Sequence, residues 1–189
     1  MSDFSVYFEL GWQHILDVNG YDHILFVVAL CASYQVQEWK KILILITAFT
    51  VGHSLTLALS VWNIVRIDAG LIELLIPLTI LVTAASTLFR KNKKGNDRLI
   101  YAYALVFGLV HGMGFSNYLK GLLGKSSDIL VPLFAFNAGL ELGQIVVVLA
   151  VMLISFILGF IFSVNRRDWS FFLSSAIFGI AFVMTLERL

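Results

Sequence analysis

Long runs of apolar residues alternate with short polar segments along the whole chain, and this pattern predicts helices that cross a membrane. A spanning helix needs about 20 predominantly apolar residues. Six spans are predicted, the first of them short and the fifth long enough to tilt or to project beyond the membrane. They cover residues 21–34, 42–62, 69–89, 99–117, 131–163 and 169–186. The predicted fold class is therefore all-α, a polytopic membrane helical bundle in which residues 1–189 form a single integral membrane domain.

The segment before the first span has a helical pattern of its own. Apolar residues recur at helical spacing over residues 4–18, but Glu9, His14 and Asp17 interrupt them. The Asn-Gly pair at 19–20 is a turn signal, and the span that follows has about 14 residues, roughly two thirds of a membrane thickness at 1.5 Å per residue. We expect either a re-entrant helix that dips into the outer leaflet or an interfacial helix that lies flat on the membrane.

The composition agrees with a location in the lipid bilayer. Hydrophobic residues make up 59% of the chain and charged residues 13%, whereas a soluble domain carries roughly a quarter charged residues. The net charge of +1 does not indicate a nucleic-acid partner. The N-terminal residues include no basic residue ahead of an apolar stretch, so we do not expect a secretory signal peptide.

Lysine and arginine residues are distributed unevenly between the polar segments, which predicts an orientation. The segments after the first, third and fifth spans carry nine of them, and the remaining segments, with both termini, carry four. The positive-inside rule then places both termini on the outer, periplasmic side of a bacterial inner membrane. The densest cluster, RKNKKGNDR at 90–98, could alternatively contact lipid headgroups.

All four histidines fall inside or at the edge of these apolar stretches. Ionisable groups are costly in hydrocarbon and normally face a bundle interior or a cavity. In the predicted orientation His23, His53, His111 and Glu141 lie roughly 0 to 15 Å below the outer surface. Imidazoles and carboxylates from several helices are suitable ligands for a divalent transition metal. We predict that these four residues form a metal site.

Seven further residues are predicted to be additional ligands or to orient the ligands. They are His14, Asp17, Asp22, Glu73, Asn137, Ser54 and Gln144. Asp22 could orient His23 rather than bind the metal itself. Asn137 and Gln144 share one helical stripe with Glu141.

Each of these residues also has a purely structural interpretation. A lone histidine or carboxylate within a span could be only an interhelical hydrogen-bond partner. Asp17 could be solvated, Glu73 could be an interfacial carboxylate, and His14 would be exposed to water if the first helix lies flat. A metal site is therefore indicated by the set, not by any single member.

Four segments resemble the signature segments of the HupE/UreJ family, membrane accessory proteins of hydrogenase and urease systems that are regarded as nickel permeases. The segments are GWQHILDVNGYDHILFVVAL at 11–30, FTVGHSLTL at 49–57, FGLVHGMGF at 107–115 and FNAGLELGQ at 136–144. The resemblance implies a six-span bundle, uptake of a divalent metal, and metalloenzyme maturation proteins as partners. It maps the family's histidine motifs onto His14, His23, His53 and His111, and its acidic motif onto Glu141.

The leading interpretation is a secondary permease for a divalent transition metal. Nickel is the first candidate for the cargo, and zinc, cobalt or copper(II) would also suit imidazole and carboxylate ligands. The spacing between His14 and His23 is longer than in the nickel-linked members of the family, which leaves the metal open. No G-x-x-x-x-G-K-[ST] motif is present, so an ion gradient or a partner would supply the energy, and protonation of the histidines could drive release.

Two other functions fit the same residues. An intramembrane zinc-dependent hydrolase would place three histidines and a carboxylate around zinc and activate water at an open position. A metal-sensing or assembly protein would bind the ion without transporting it. Transport needs a polar path towards the cytoplasm, and the fifth span continues as VVVLAVMLISFILGF at 146–160. Thr83, Ser86 and Thr87 on the third span are the remaining candidates for that path.

Overall fold

The computed structural model describes residues 3–18, 20–65, 67–89, 97–123 and 129–189, and these residues form helices and connecting turns without strands. The predicted all-helical class is confirmed. The helices are α1 (Asp3–Leu16), α2 (Asp22–Ala32), α3 (Trp39–Val61), α4 (Ala69–Leu88), α5 (Asp97–Leu123), α6 (Leu130–Phe160) and α7 (Arg166–Leu186), with a 3-10 turn (Val36–Glu38) before α3.

Four of the described helices, α3, α4, α6 and α7, are individually long and apolar enough to cross a membrane. Helix α2 and residues 100–116 of α5 are shorter apolar helices. Length and composition alone thus support four crossings by single helices in the described part of the chain, against the six that the sequence predicts.

Local signals in the sequence account for several helix ends. The Asp68 carboxylate accepts a hydrogen bond of 3.1 Å from the backbone N–H of Leu71 at the start of α4, and Asn165 caps α7 in the same way. Such side-chain acceptors satisfy backbone donors that have no partner within the helix. Pro77 lies inside α4, where its ring removes one backbone hydrogen bond and favours a bend.

Helices α3 to α7 begin and end at two faces of the bundle. Arg188, just after α7, pairs with Glu73 near the start of α4, and Lys120 near the end of α5 bonds to Asn63 after α3. We call this end the N-terminal face, because α1 also begins there. At the opposite face, the Ser33 hydroxyl lies 2.6 Å from that of Thr87 near the end of α4.

Helices α3 and α5 run side by side, and glycines bring their backbones into contact. A Cβ atom on Gly52 would lie 2.2 Å from the carbonyl oxygen of Leu105, and one on Gly108 would lie 2.0 Å from that of Phe49. No side chain fits at such distances, so only glycine permits this approach. Interfaces of this small-residue kind are typical of membrane helices.

Helices α1 and α6 repeat the same contact with the same sequence pattern. A Cβ on Gly11 would lie 1.9 Å from the carbonyl oxygen of Phe136, and one on Gly139 would lie 2.1 Å from that of Phe8. In both pairs a Phe-x-x-Gly segment meets the first glycine of a Gly-x-x-x-Gly segment. The two pairs are therefore locked by equivalent backbone contacts.

Helices α1 and α2 follow one another along α6 in the same direction. Helix α1 covers the first part of α6, where Ile15 contacts Gly143. Helix α2 covers a later part, where Val27 packs in one cluster with Val147 and Val148. The break between α1 and α2 therefore lies part-way between the two faces.

This placement differs from the sequence-based expectation for the N-terminal segment. Asp22 and His23 were expected at the outer surface, as the first residues of a span. Helix α1 instead occupies the space between the N-terminal face and the break, because its glycine contacts align it lengthwise with α6. Within the bundle, His23 therefore lies at the break between α1 and α2 and not at the N-terminal face.

The glycine contacts generate a stability prediction. We expect Gly108→Ala to lower the free energy of unfolding by about 1–3 kcal/mol, because the added methyl group overpacks against the backbone of α3. Gly179→Ala on α7 is the matched control, since a Cβ there meets nothing within 4 Å and alanine favours helix by up to about 1 kcal/mol. Thermal unfolding in detergent measures both. Equal stability of the two variants would contradict the packing described here.

Candidate metal centre

The four histidines come together at the break between α1 and α2. We call His14, His23, His53 and His111 the histidine cluster. The ring of His23 is at its centre, with centroids 4.6 Å from His14, 5.9 Å from His53 and 5.0 Å from His111. Four separate helices, α1, α2, α3 and α5, thus each contribute one imidazole.

Ligand atoms of the cluster fall into two overlapping groups. Ring nitrogens of His14, His23 and His53 lie within 4.8 Å of one another, and so do one atom each of Asp22, His23 and His111. Two nitrogens bound to one tetrahedral ion would be about 3.4 Å apart at metal–nitrogen distances near 2.1 Å. Side-chain movements of roughly 1 Å would therefore suffice to bring each group onto a single ion.

The glycine contacts explain why the rings converge. His53 directly follows Gly52, and His111 directly precedes Gly112. A Cβ on Gly112 would lie 2.4 Å from the carbonyl oxygen of His53, so the helices that carry these two histidines touch at the level of the rings. His14 lies one turn after Gly11, the equivalent contact on α1.

Asp22 orients the central ring. Its Oδ1 accepts a hydrogen bond of 2.8 Å from the backbone N–H of His23 and lies 3.0 Å from Nδ1 of the same residue. A carboxylate only accepts hydrogen bonds, so the ring donates from Nδ1. This is the carboxylate–histidine arrangement that fixes ring orientation at metal sites.

Burial and aromatic packing enclose most of the cluster. The exposed fraction is 0% for His53, 1% for His111 and 4% for His23, whereas His14 is half-buried. The phenylalanines that pack on the rings are Phe26, Phe49, Phe115 and Phe136. Water has little access to the buried rings, which strengthens any electrostatic interaction there.

Several ring nitrogens have no partner. The buried nitrogens without a hydrogen bond are Nε2 of His14, Nε2 of His23, both nitrogens of His53 and Nδ1 of His111. Buried polar atoms normally find a partner, because an unsatisfied one costs free energy. A bound cation would satisfy several of them at once. The donor set therefore fits a transition metal that prefers imidazole nitrogen.

A cavity of about 330 Å³ connects the cluster to the N-terminal face. His14, His23 and His111 line its inner end, together with Asp22. The predicted residues Asp17 and Glu73 also line this cavity, as does Arg188, which pairs with Glu73. Three carboxylates and one guanidinium thus border the approach to the histidines.

The remaining predicted residues have other contacts. The Glu141 carboxylate is outside both ligand groups and accepts a hydrogen bond of 2.6 Å from the Thr47 hydroxyl. Gln144 accepts one of 2.9 Å from Thr50. Asn137 and Ser54 bond to backbone carbonyls of their own helices, those of Leu133 and Thr50 respectively.

Sequence reasoning missed two features of the centre. Thr79 lies 3.0 Å from Nε2 of His111, yet a threonine among apolar residues of α4 gives no signal of such a contact. The four phenylalanines that pack on the rings are likewise indistinguishable, in the sequence, from ordinary apolar residues of spans.

A second cavity, of about 410 Å³, lies at the opposite face between the ends of α2 and α6 and the start of α7, and no histidine lines it.

Comparison with known proteins identifies the family. No curated protein and no solved structure matches the chain. A family model described as HupE / UreJ protein matches residues 1–187, nearly the whole length, in agreement with the resemblance of the four segments. The chain therefore belongs to the HupE / UreJ family of membrane proteins.

Proposed function

We propose that the protein is a permease that carries a divalent transition-metal ion, with nickel as the cargo, across a bacterial inner membrane. The observation that carries this proposal is the histidine cluster itself. Four imidazoles from four helices meet at the inner end of a cavity and leave several buried nitrogens without partners. A resident structural site would not need a cavity that leads to it from one face.

The broken α1–α2 segment supports a transport role. At 1.5 Å per residue, α1 and α2 are about 21 and 16 Å long, together enough for one crossing of a hydrocarbon core of about 30 Å. With α3 to α7 this makes six crossings, the first of them interrupted at the metal centre. Non-helical backbone at depth is tolerated where it lines a cavity, and discontinuous helices form the substrate sites of many transporters.

We place the N-terminal face on the outer side of the membrane. Lys40, Lys41, Arg166 and Arg167 lie at the opposite face, near the 3-10 turn and the start of α7. Basic residues accumulate on the cytoplasmic side of membrane proteins. The cavity would then open outwards, as uptake requires.

The proposed first steps follow from charge and ligand type. The carboxylates of Asp17, Asp22 and Glu73 attract the hydrated cation into the cavity. Imidazole nitrogens of the histidine cluster then replace its water molecules. Imidazole suits nickel, cobalt, copper(II) and zinc, whereas magnesium and calcium prefer oxygen ligands, so the cluster selects against the abundant cations.

The onward route is proposed to run between α3 and α6. Thr50 and Thr47 are three and six residues before His53, about 4.5 and 9 Å further from the N-terminal face. Thr50 donates a hydrogen bond to Gln144 in a buried pair, and Thr47 donates one to Glu141 in an exposed pair, both on α6. We assign Glu141 to this route, beyond the histidines, where its oxygen ligands would hold nickel less tightly and favour its release.

We expect purified protein in liposomes to admit nickel, detected by a metal-sensitive dye inside. His53→Ala and His111→Ala should each lower the initial rate at least tenfold, because each removes one imidazole from the ligand set. Gln13→Ala is the matched control, since this exposed residue directly precedes His14 and its side chain donates a hydrogen bond to Glu9 on the same helix. Its rate should equal that of the wild type.

Three outcomes would contradict the permease. Equal nickel entry into protein-free liposomes would show that the protein does not transport the ion. Tight nickel binding by the wild type without entry would favour the sensor or assembly protein. Turnover of peptide or lipid that requires zinc would favour the hydrolase.

The proposed orientation can be tested by thiol labelling of whole cells. In a Cys31→Ala background, Ile64→Cys at the N-terminal face should react with a membrane-impermeant maleimide. Gln37→Cys at the opposite face should react only after permeabilisation. The reverse pattern would place the cavity on the cytoplasmic side and contradict uptake through it.

A further inference from the structure

Thr79 makes two contacts that together determine which nitrogen of His111 carries the hydrogen. Its Oγ1 lies 2.7 Å from the backbone carbonyl oxygen of Ile76 and 3.0 Å from Nε2 of His111. The exposed fractions of Thr79 and His111 are 8% and 1%. The contact between Thr79 and His111 is therefore buried, whereas that with Ile76 is part-buried.

A threonine hydroxyl has one hydrogen to donate and lone pairs to accept with. The carbonyl of Ile76 can only accept, and its oxygen is the closer of the two atoms. The hydroxyl hydrogen must therefore point to Ile76, because two oxygens 2.7 Å apart without a hydrogen between them would repel. The contact with His111 must then be a hydrogen bond that Nε2–H of the ring donates to the hydroxyl oxygen of Thr79.

The geometry points to Thr79 as a positioning residue that holds His111 as its Nε2–H tautomer. A neutral imidazole carries one hydrogen, so Nδ1 of His111 then presents a free lone pair. Nδ1 is buried without a hydrogen-bond partner. His111 thus offers Nδ1 to an ion at the cluster, and this assignment as a ligand rests on the proposed function.

His23 has the opposite arrangement. Asp22 accepts from Nδ1, so the free lone pair of His23 is on Nε2, which is also buried without a partner. Two neighbouring rings, 5.0 Å apart between centroids, are therefore held as different tautomers by a carboxylate and a hydroxyl. Each of these contacts leaves the other nitrogen of its ring with a free lone pair.

The tautomer can be read directly, without metal. Protein with ¹³C,¹⁵N-labelled histidine in lipid bilayers at pH 8 gives solid-state NMR shifts that distinguish Nδ1–H from Nε2–H rings, and His111→Gln assigns the signal of His111. We expect the Nε2–H form in the wild type and in Thr79→Ser, which keeps the hydroxyl. Thr79→Val, which replaces the hydroxyl with a methyl group of similar size, should populate both tautomers.

Nickel affinity provides the second measurement, by competition with a fluorescent chelator. Removing a hydrogen-bond partner that orients a metal ligand lowers metal affinity by about 10- to 100-fold. We expect a decrease in nickel affinity of this size for Thr79→Val but not for Thr79→Ser. Thr185→Val is the matched control, because that hydroxyl also bonds to a carbonyl of its own helix, on α7. It should change neither the tautomer nor the affinity.

An Nδ1–H ring at His111 in the wild type, or an unchanged tautomer in Thr79→Val, would overturn the inference. A loss of affinity equal in Thr79→Val and Thr79→Ser would also overturn it, since that pattern indicates packing and not hydrogen bonding. These results are independent of transport, because a protein that fails to carry nickel would still show the tautomer of its apo form.

Discussion

Contact between helix backbones at glycine is the constraint on which the rest of the structure depends. Carbonyl oxygens of one helix lie where a side chain of its neighbour would otherwise be, in the α3–α5 pair and again in the α1–α6 pair. The first contact brings His53 and His111 to one level. The second holds α1 along α6, so that α1 ends where α2 begins, and there His14 and His23 lie side by side.

The histidine cluster that results is costly without a ligand. Its buried nitrogens have given up hydration, and the phenylalanines around them provide no hydrogen-bond partners. This free-energy cost arises at one point, beside a cavity bordered by carboxylates. A bound cation at that point would offset it. Asp22 and Thr79 accept hydrogen bonds from His23 and His111 respectively. The other nitrogen of each of these two rings then has a free lone pair rather than a hydrogen.

The sequence predicted the features that depend on composition and on local pattern. Apolar runs located the helices, and the cost of ionisable groups in hydrocarbon drew attention to the histidines that the structure brings together. His14 was predicted only as an additional ligand, and Glu141, predicted as a ligand, lies outside both ligand groups. The Asn-Gly turn indicated the break before α2. The adjacency of Asp22 to His23 left two roles open for the carboxylate, as a metal ligand or as the group that orients the ring, and its Oδ1 lies 3.0 Å from Nδ1 of His23.

Features that depend on which helices are neighbours could not be predicted. The Gly-x-x-x-Gly segments are visible in α5 and α6, but nothing local shows that their partners are α3 and α1. The position of His23 part-way along the bundle is one such feature, because it depends on the contact of α1 with α6. The same holds for the hydrogen bond between Thr79 and His111 and for the one between Thr47 and Glu141, because the partners are 32 and 94 positions apart in the sequence.

The central claim is that one ion is held by several imidazoles of the histidine cluster, and X-ray absorption spectroscopy of the nickel-loaded protein tests it most directly. The account predicts at least three imidazole nitrogens at about 2.0–2.1 Å, the distance known for zinc–histidine bonds, with the multiple scattering that is typical of imidazole rings. A first shell of oxygens alone, without imidazole scattering, would contradict it.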